Sequence, residues 1–146
     1  MLSKQVMCKW LGSILLLVCG CPSQAIVAIA NLDANRSLFL QAETDLNQGK
    51  AAIYQKLKTR LSNYPLFPYL LYNEYEKRIN ELSFEEFRSF MDNYPDSPLA
   101  EQLRNRWLQA KAKQQDWHSY LKAYQPVEDA SLQCNYLWAS LQTNAD

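Results

Sequence analysis

Apolar residues recur every three or four positions along this chain, and regular alternation is absent. That spacing predicts amphipathic helices rather than strands. Leu38, Ala42 and Leu46 fall on one helical face before Gly49, which is expected to stop the helix. Tyr54, Leu57 and Leu61 line the next, ending at Asn63-Tyr64-Pro65. Pro68 suits the first position of a third helix, where a missing N–H costs nothing, and Tyr69, Tyr72 and Tyr75 are expected to share its face. Ser83-Phe84-Glu85-Glu86 reads as a capping box ahead of Phe84, Phe87 and Phe90. Ser97-Pro98 opens another helix carrying Leu99, Leu103, Trp107 and Ala110. Asp116 caps a short one with Trp117, Tyr120, Leu121 and Tyr124. The last presents Leu132, Tyr136 and Ala139, with Trp138 on another side. About seven helices result, and no convincing strand.

The turns between them repeat. Asn63-Tyr64-Pro65 recurs 30 residues later as Asn93-Tyr94-Pro95, and Tyr124-Gln125-Pro126 follows after another 30. Two helices of about 12 residues and two tight turns fill such a period, so the pattern predicts an all-α solenoid, or superhelix, of antiparallel helix pairs.

The first 30 residues have a different character. Lys4 and Lys9 precede an apolar run, Trp10 to Cys21, of 12 residues. That run suits a secretory signal and falls short of the roughly 20 residues needed to cross a bilayer. Ala28-Ile29-Ala30 has the small-residue spacing of a cleavage site, so the mature chain is expected to start at Asn31. Two alternatives stay open. One is an uncleaved anchor, which Pro22, Ser23 and Gln24 disfavour; the other is a lipoprotein-type cleavage before Cys21.

Removing Lys4 and Lys9 from the 15 basic residues leaves 13 against 15 acidic ones, a net charge of −2. Such a balance gives no electrostatic footprint for nucleic acid. After leader removal Cys134 is the lone cysteine, expected as a small buried helix residue; the other reading is a bridge to a partner. His118 is the only histidine, so no two-histidine metal site can form and a Ser-His triad has a single candidate base, with no acidic partner fixed by spacing; a surface position is expected. Glu85-Glu86 and Glu128-Asp129 are acidic pairs that sit where helix starts favour carboxylates, a structural reading. The tyrosines at 69, 72 and 75 and the tryptophans at 107, 117 and 138 have flat faces suited to sugar stacking, but their helical spacing favours core packing, with Trp138 the exception. No catalytic, cofactor-binding or metal-ligating residue is assigned.

From about Leu61 to Trp138 the chain resembles the N-terminal helical domain of soluble lytic murein transglycosylases. The resemblance is carried by Tyr64-Pro65-Leu66-Phe67-Pro68-Tyr69-Leu70, by the Asp116-Trp117 helix opening and by Gln133-Cys134-Asn135-Tyr136. It implies a periplasmic protein whose full-length family cleaves peptidoglycan glycan strands without water, leaving 1,6-anhydromuramic acid ends. In that family an α-superhelix precedes a goose-lysozyme-like domain whose catalytic glutamate stands in a Glu-Ser motif. No glutamate here is followed by serine, so no catalytic residue carries over. The expectation is therefore a signal peptide at 1–30 and, at 31–146, the first part of a superhelical domain incomplete at its C-terminus, from a truncated gene. It would serve as a scaffold or binding piece for peptidoglycan or a protein partner, off the membrane once the signal is cleaved and without a cofactor. The alternative is a free-standing periplasmic helical-repeat module that binds a protein or a glycan.

Overall fold

The computed structural model describes residues 23–143, with side chains from Leu32 onward. The leader residues Lys4 to Cys21 lie outside the described residues. Among those described there are seven helices and no strand: α1 (Ser23–Asn47), α2 (Ala51–Arg60), α3 (Phe67–Lys77), α4 (Phe84–Asn93), α5 (Pro98–Gln114), α6 (Trp117–Ala123) and α7 (Ala130–Thr143). The backbone is already helical where the expected junction after Ala30 falls. No helix among the described residues is long and apolar enough to cross a membrane.

Helix ends follow local chemistry. At the end of α1 the Gly49 N–H reaches the Leu46 carbonyl at 3.3 Å and the Lys50 N–H reaches that of Asp45 at 2.9 Å. This paired closure requires a left-handed residue, and Gly49 supplies it at φ +72°. Helix α5 closes the same way, with Gln115 N–H to Ala112 and Asp116 N–H to Lys111, but Gln115 carries a side chain at φ +57°. Ser83 and Glu86 form the expected reciprocal capping box of α4, and Ser97 and Asp116 cap α5 and α6. Helix α2 ends at Arg60, and a turn carries the chain through Tyr64. Because α3 starts at Phe67, Pro68 takes the second helical position, one later than expected; that N–H is equally free of an intrahelical partner.

Two apolar clusters form the core. Phe39, Ala42, Tyr54, Leu57, Leu61 and Leu70 make the first, which joins α1, α2 and α3. The larger one, centred on Trp107, takes Tyr72 and Tyr75 of α3, the phenylalanines of α4, Leu99 and Leu103 of α5, Tyr120 of α6 and Leu132 and Ala139 of α7. Phe87 stacks on Trp107 at 4.5 Å, and the indole N–H donates to the Leu82 carbonyl at 3.3 Å. Helix α3 thus faces both clusters, which leaves Tyr69 outside either. It is 51% exposed, a correction to the expected tyrosine face: Leu70 holds the core position beside it.

The thirty-residue period has a structural counterpart. Tyr64, Tyr94 and Tyr124 stand in the turns that follow α2, α4 and α6, are half-buried, and lean on an aromatic ring. Tyr64 meets Phe39 at 5.6 Å, Tyr94 meets Phe90 at 5.0 Å, and Tyr124 stacks on Tyr136 at 4.3 Å. In the first two turns the tyrosine carbonyl also accepts from the N–H three residues on. Tyr124 stands at the end of α6, rather than within the helix.

Candidate functional site

The most concentrated polar chemistry surrounds Glu74, a residue that sequence reasoning passed over. It sits on α3 between Tyr72 and Tyr75 and is 7% exposed. Tyr54 Oη donates to its Oε2 at 2.7 Å and Lys58 Nζ donates to the same oxygen at 2.6 Å. Arg78 donates to Oε1 through Nε at 3.2 Å and Nη2 at 3.1 Å. Four donors fill the four lone-pair directions of a carboxylate. Arg78 also forks onto Glu86, with Nη1 to Oε2 at 3.0 Å and Nη2 to Oε1 at 2.6 Å, and lies 5.0 Å from the Tyr75 ring centre. The cluster balances two cations against two carboxylates and ties α2, α3 and the start of α4 together.

Electrostatics follow from these contacts. Hydrogen bonding from Arg78, helped by the Ser83 backbone, holds the Glu86 carboxyl at about 2. Burial, then the hydrogen bond to Glu74, pushes the Tyr54 phenol well above its ordinary range. Burial raises Tyr75 as well. An open cleft of about 510 Å³ runs beside the cluster, with Leu46, Gly49, Gln55 and Lys77 on its walls. Glu74 is engaged by donors on both oxygens, so its arrangement is that of a structural acceptor. General acid catalysis needs a carboxyl with a free edge toward substrate and a raised pKa.

A second concavity, an open groove of about 960 Å³, lies between two equivalent turns of the repeat. Pro95–Pro98 forms one wall and Pro126–Asp129 the other, with Glu101, Arg104 and Asn105 of α5 along the floor. The acidic pair Glu128-Asp129 is placed here. Asp129 caps α7, accepting from the Ser131 and Leu132 N–H groups at 2.8 and 3.1 Å, while Glu128 is exposed. Glu85 is exposed and Glu86 caps α4, so neither pair forms a site with the other residues singled out from the sequence. His118 is exposed on α6, as expected.

Cys134 is exposed, contrary to the buried position expected for it. Helix α7 buries Leu132 and Ala139, and a residue two beyond Leu132 points about 200° round the helix, away from that face. Tyr136 is also less covered than expected, at 37% exposed, because its ring reaches Tyr124 rather than the interior. Trp107 is fully buried, Trp117 half-buried, and Trp138 is 53% exposed, the outlier that the helical pattern picked out.

No protein-family model matches the chain, and no solved structure matches it. Among curated proteins it is similar to the soluble lytic murein transglycosylase of Escherichia coli strain K12, 26% identical over 128 residues. That match covers 86% of this chain and 20% of the relative. The Salmonella typhimurium protein of the same name is 25% identical over 115 residues, 77% of this chain and 18% of its own length. The chain therefore spans about a fifth of the length of the curated relatives it matches, and over most of its own length it is similar to soluble lytic murein transglycosylases.

Proposed function

We propose that residues 31–146 are the first part of an α-superhelical domain of the soluble lytic murein transglycosylase type, and that they act in the periplasm as a peptidoglycan-binding scaffold without chemistry of their own. Residues 1–30 serve as the export signal in this reading. The observation that carries it is the match to relatives over most of this chain but only a fifth of theirs. The all-helical fold supports it, with two apolar clusters that join successive helices, since a solenoid gains stability by stacking neighbouring helices. So does the environment of Glu74, whose donors leave it a structural part. In this reading, strand cleavage falls to sequence beyond the part matched here.

Co-sedimentation with purified peptidoglycan sacculi tests the binding half of the proposal. A fraction of the protein is expected in the pellet, rising with the amount of sacculi and saturating. Complete recovery in the supernatant at every sacculus concentration would remove glycan binding from the account.

A further inference from the structure

Three cations from successive helices line one small open cavity. Arg88 of α4, Arg104 of α5 and Lys122 of α6 border a space of about 210 Å³ whose apolar wall is Phe84, Phe87 and Met91. None of its lining residues among those described carries a carboxylate. The two larger concavities differ. Glu74 and Glu86 answer Lys58 and Arg78 beside the cleft, and Asp96, Glu101, Glu128 and Asp129 give the groove an acidic lining. Such a gathering of cations is uneven for a chain whose net charge beyond residue 30 is −2.

The cations are held against the apolar wall. Lys122 Nζ stands 5.8 Å from the centre of the Phe84 ring, and Arg104 Nη2 reaches Met91 Sδ at 3.6 Å. Arg104 also borders the larger groove, but this contact sets the end of its guanidinium beside Met91. Among the described residues neither Arg104 nor Lys122 forms an ion pair. Arg88 does pair with Asp92, at 3.6 Å, but both side chains are 68% exposed and a pair of that kind holds weakly. Like charges gathered beside a low-dielectric wall repel one another until an anion joins them.

We propose that this cavity binds the carboxylate end of a short peptide, with Arg104 and Lys122 taking the charge and Phe84 and Met91 covering the methyl groups next to it. A guanidinium can fork onto a carboxylate while an ammonium meets the same group as a point charge. Arg88 adds charge, and Gln125 supplies an uncharged amide donor. The size suits an end group. At about 210 Å³ the cavity is smaller than the roughly 300–1,000 Å³ of sites for drug-sized ligands, so it holds a terminal residue and not a disaccharide. Peptidoglycan carries such ends on its peptide stems, where a free carboxylate stands beside methyl-bearing residues. That source rests on the scaffold reading above; the preference for a carboxylate end does not.

Amide proton–nitrogen NMR of the full chain, titrated with N-acetyl-D-alanyl-D-alanine, tests this. The expected result is saturable shifts at the amides of Phe84, Arg88, Arg104 and Lys122, with a dissociation constant on the order of 1 mM. The C-terminal amide of the same peptide lacks the charge and should bind about tenfold more weakly or worse. Arg104→Gln and Lys122→Gln should each weaken binding of the acid about fivefold. Lys113→Gln, at an exposed cation elsewhere on α5, should leave it unchanged. Equal affinity for acid and amide, or for inorganic phosphate and the peptide, would overturn the proposal. So would the absence of saturable shifts at these amides up to about 20 mM peptide. Co-sedimentation with sacculi separates the two claims. Peptide binding that fails in the variants, from a protein that never pellets, would sink the scaffold reading and leave the cavity its ligand. Pelleting that is unchanged in both variants, without peptide binding, would do the reverse.

Discussion

Glu74 and Arg78 stand one helical turn apart on α3, and the guanidinium gives two hydrogen bonds to one carboxylate oxygen, at 3.2 and 3.1 Å. Tyr54 and Lys58 hold the other oxygen from α2, so one buried side chain fastens two helices. Removing a member of such a group leaves the others desolvated without a partner. Glu74→Ala is expected to cost about 2–4 kcal/mol, below the top of the range for buried pairs because Lys58 and Arg78 keep some solvent contact. Urea unfolding of Glu74→Ala, Lys58→Ala and the double variant measures the coupling. The double variant should lose clearly less than the sum of the two single ones.

The Glu86 carboxyl makes stability depend on pH in a defined direction. Its pKa falls from 4.5 to about 2 on folding, chiefly through Arg78. Its contribution is therefore present above about pH 4.5 and lost as the pH falls toward 2. The side chain is 40% exposed, so solvent screening reduces the contribution to roughly 1 kcal/mol. Denaturant midpoints of Glu86→Gln should lie below those of the parent at neutral pH and converge on them near pH 2. A constant gap between the two curves would place the effect in capping alone.

Two helix closures should respond oppositely to substitution. Gly49 and Gln115 hold equivalent left-handed positions, at φ +72° and +57°. Gln115→Gly relieves a strained side-chain-bearing residue and should stabilise by about 0.5–1 kcal/mol. Gly49→Ala should destabilise by about 1 kcal/mol through the backbone alone, because a Cβ there meets no atom within 4 Å. Melting temperatures that move the same way in both would contradict the shared closure.

The repeat makes a fourth stability prediction. Tyr64, Tyr94 and Tyr124 are half-buried and each touches an aromatic neighbour, so Ala at any of them should cost about 1–3 kcal/mol. Trp107→Ala, at a fully buried site, should cost roughly 3–5 kcal/mol and His118→Ala under about 0.5 kcal/mol. Chemical denaturation of the five variants gives the order. One tyrosine falling far outside the range of the other two would break their equivalence.

Export is tested by the mature N-terminus. Edman sequencing or intact-mass measurement of periplasmic material should find a start at Asn31. A lipid-bearing start at Cys21 would assign a different peptidase.

Periodicity and capping made most of the helices readable, because both are local. Ser83 with Glu86, Ser97 with Pro98, and Asp116 sit at the helix starts that their side chains dictate. The misplaced residues are those whose burial depends on which helix lies opposite. Tyr69 has the same spacing from Tyr72 that Tyr72 has from Tyr75, but α3 faces two clusters and Tyr69 falls on neither side. Cys134 was expected to be buried on average chemistry, and the narrow buried face of α7 excludes it. Glu74 went unnoticed although a signal existed: an acid set within the apolar run from Tyr69 to Tyr75. Its partners Tyr54 and Lys58 lie 20 and 16 residues back, beyond what local spacing connects.

The central claim is that this chain binds as a scaffold and does not cut. Incubation with purified sacculi, followed by chromatography of the released muropeptides, tests it directly. The account predicts no anhydromuramic acid products at any pH between about 4.5 and 8, the range in which catalytic carboxyls and histidines work. Anhydro products that vanish when one glutamate of this chain is replaced would contradict it.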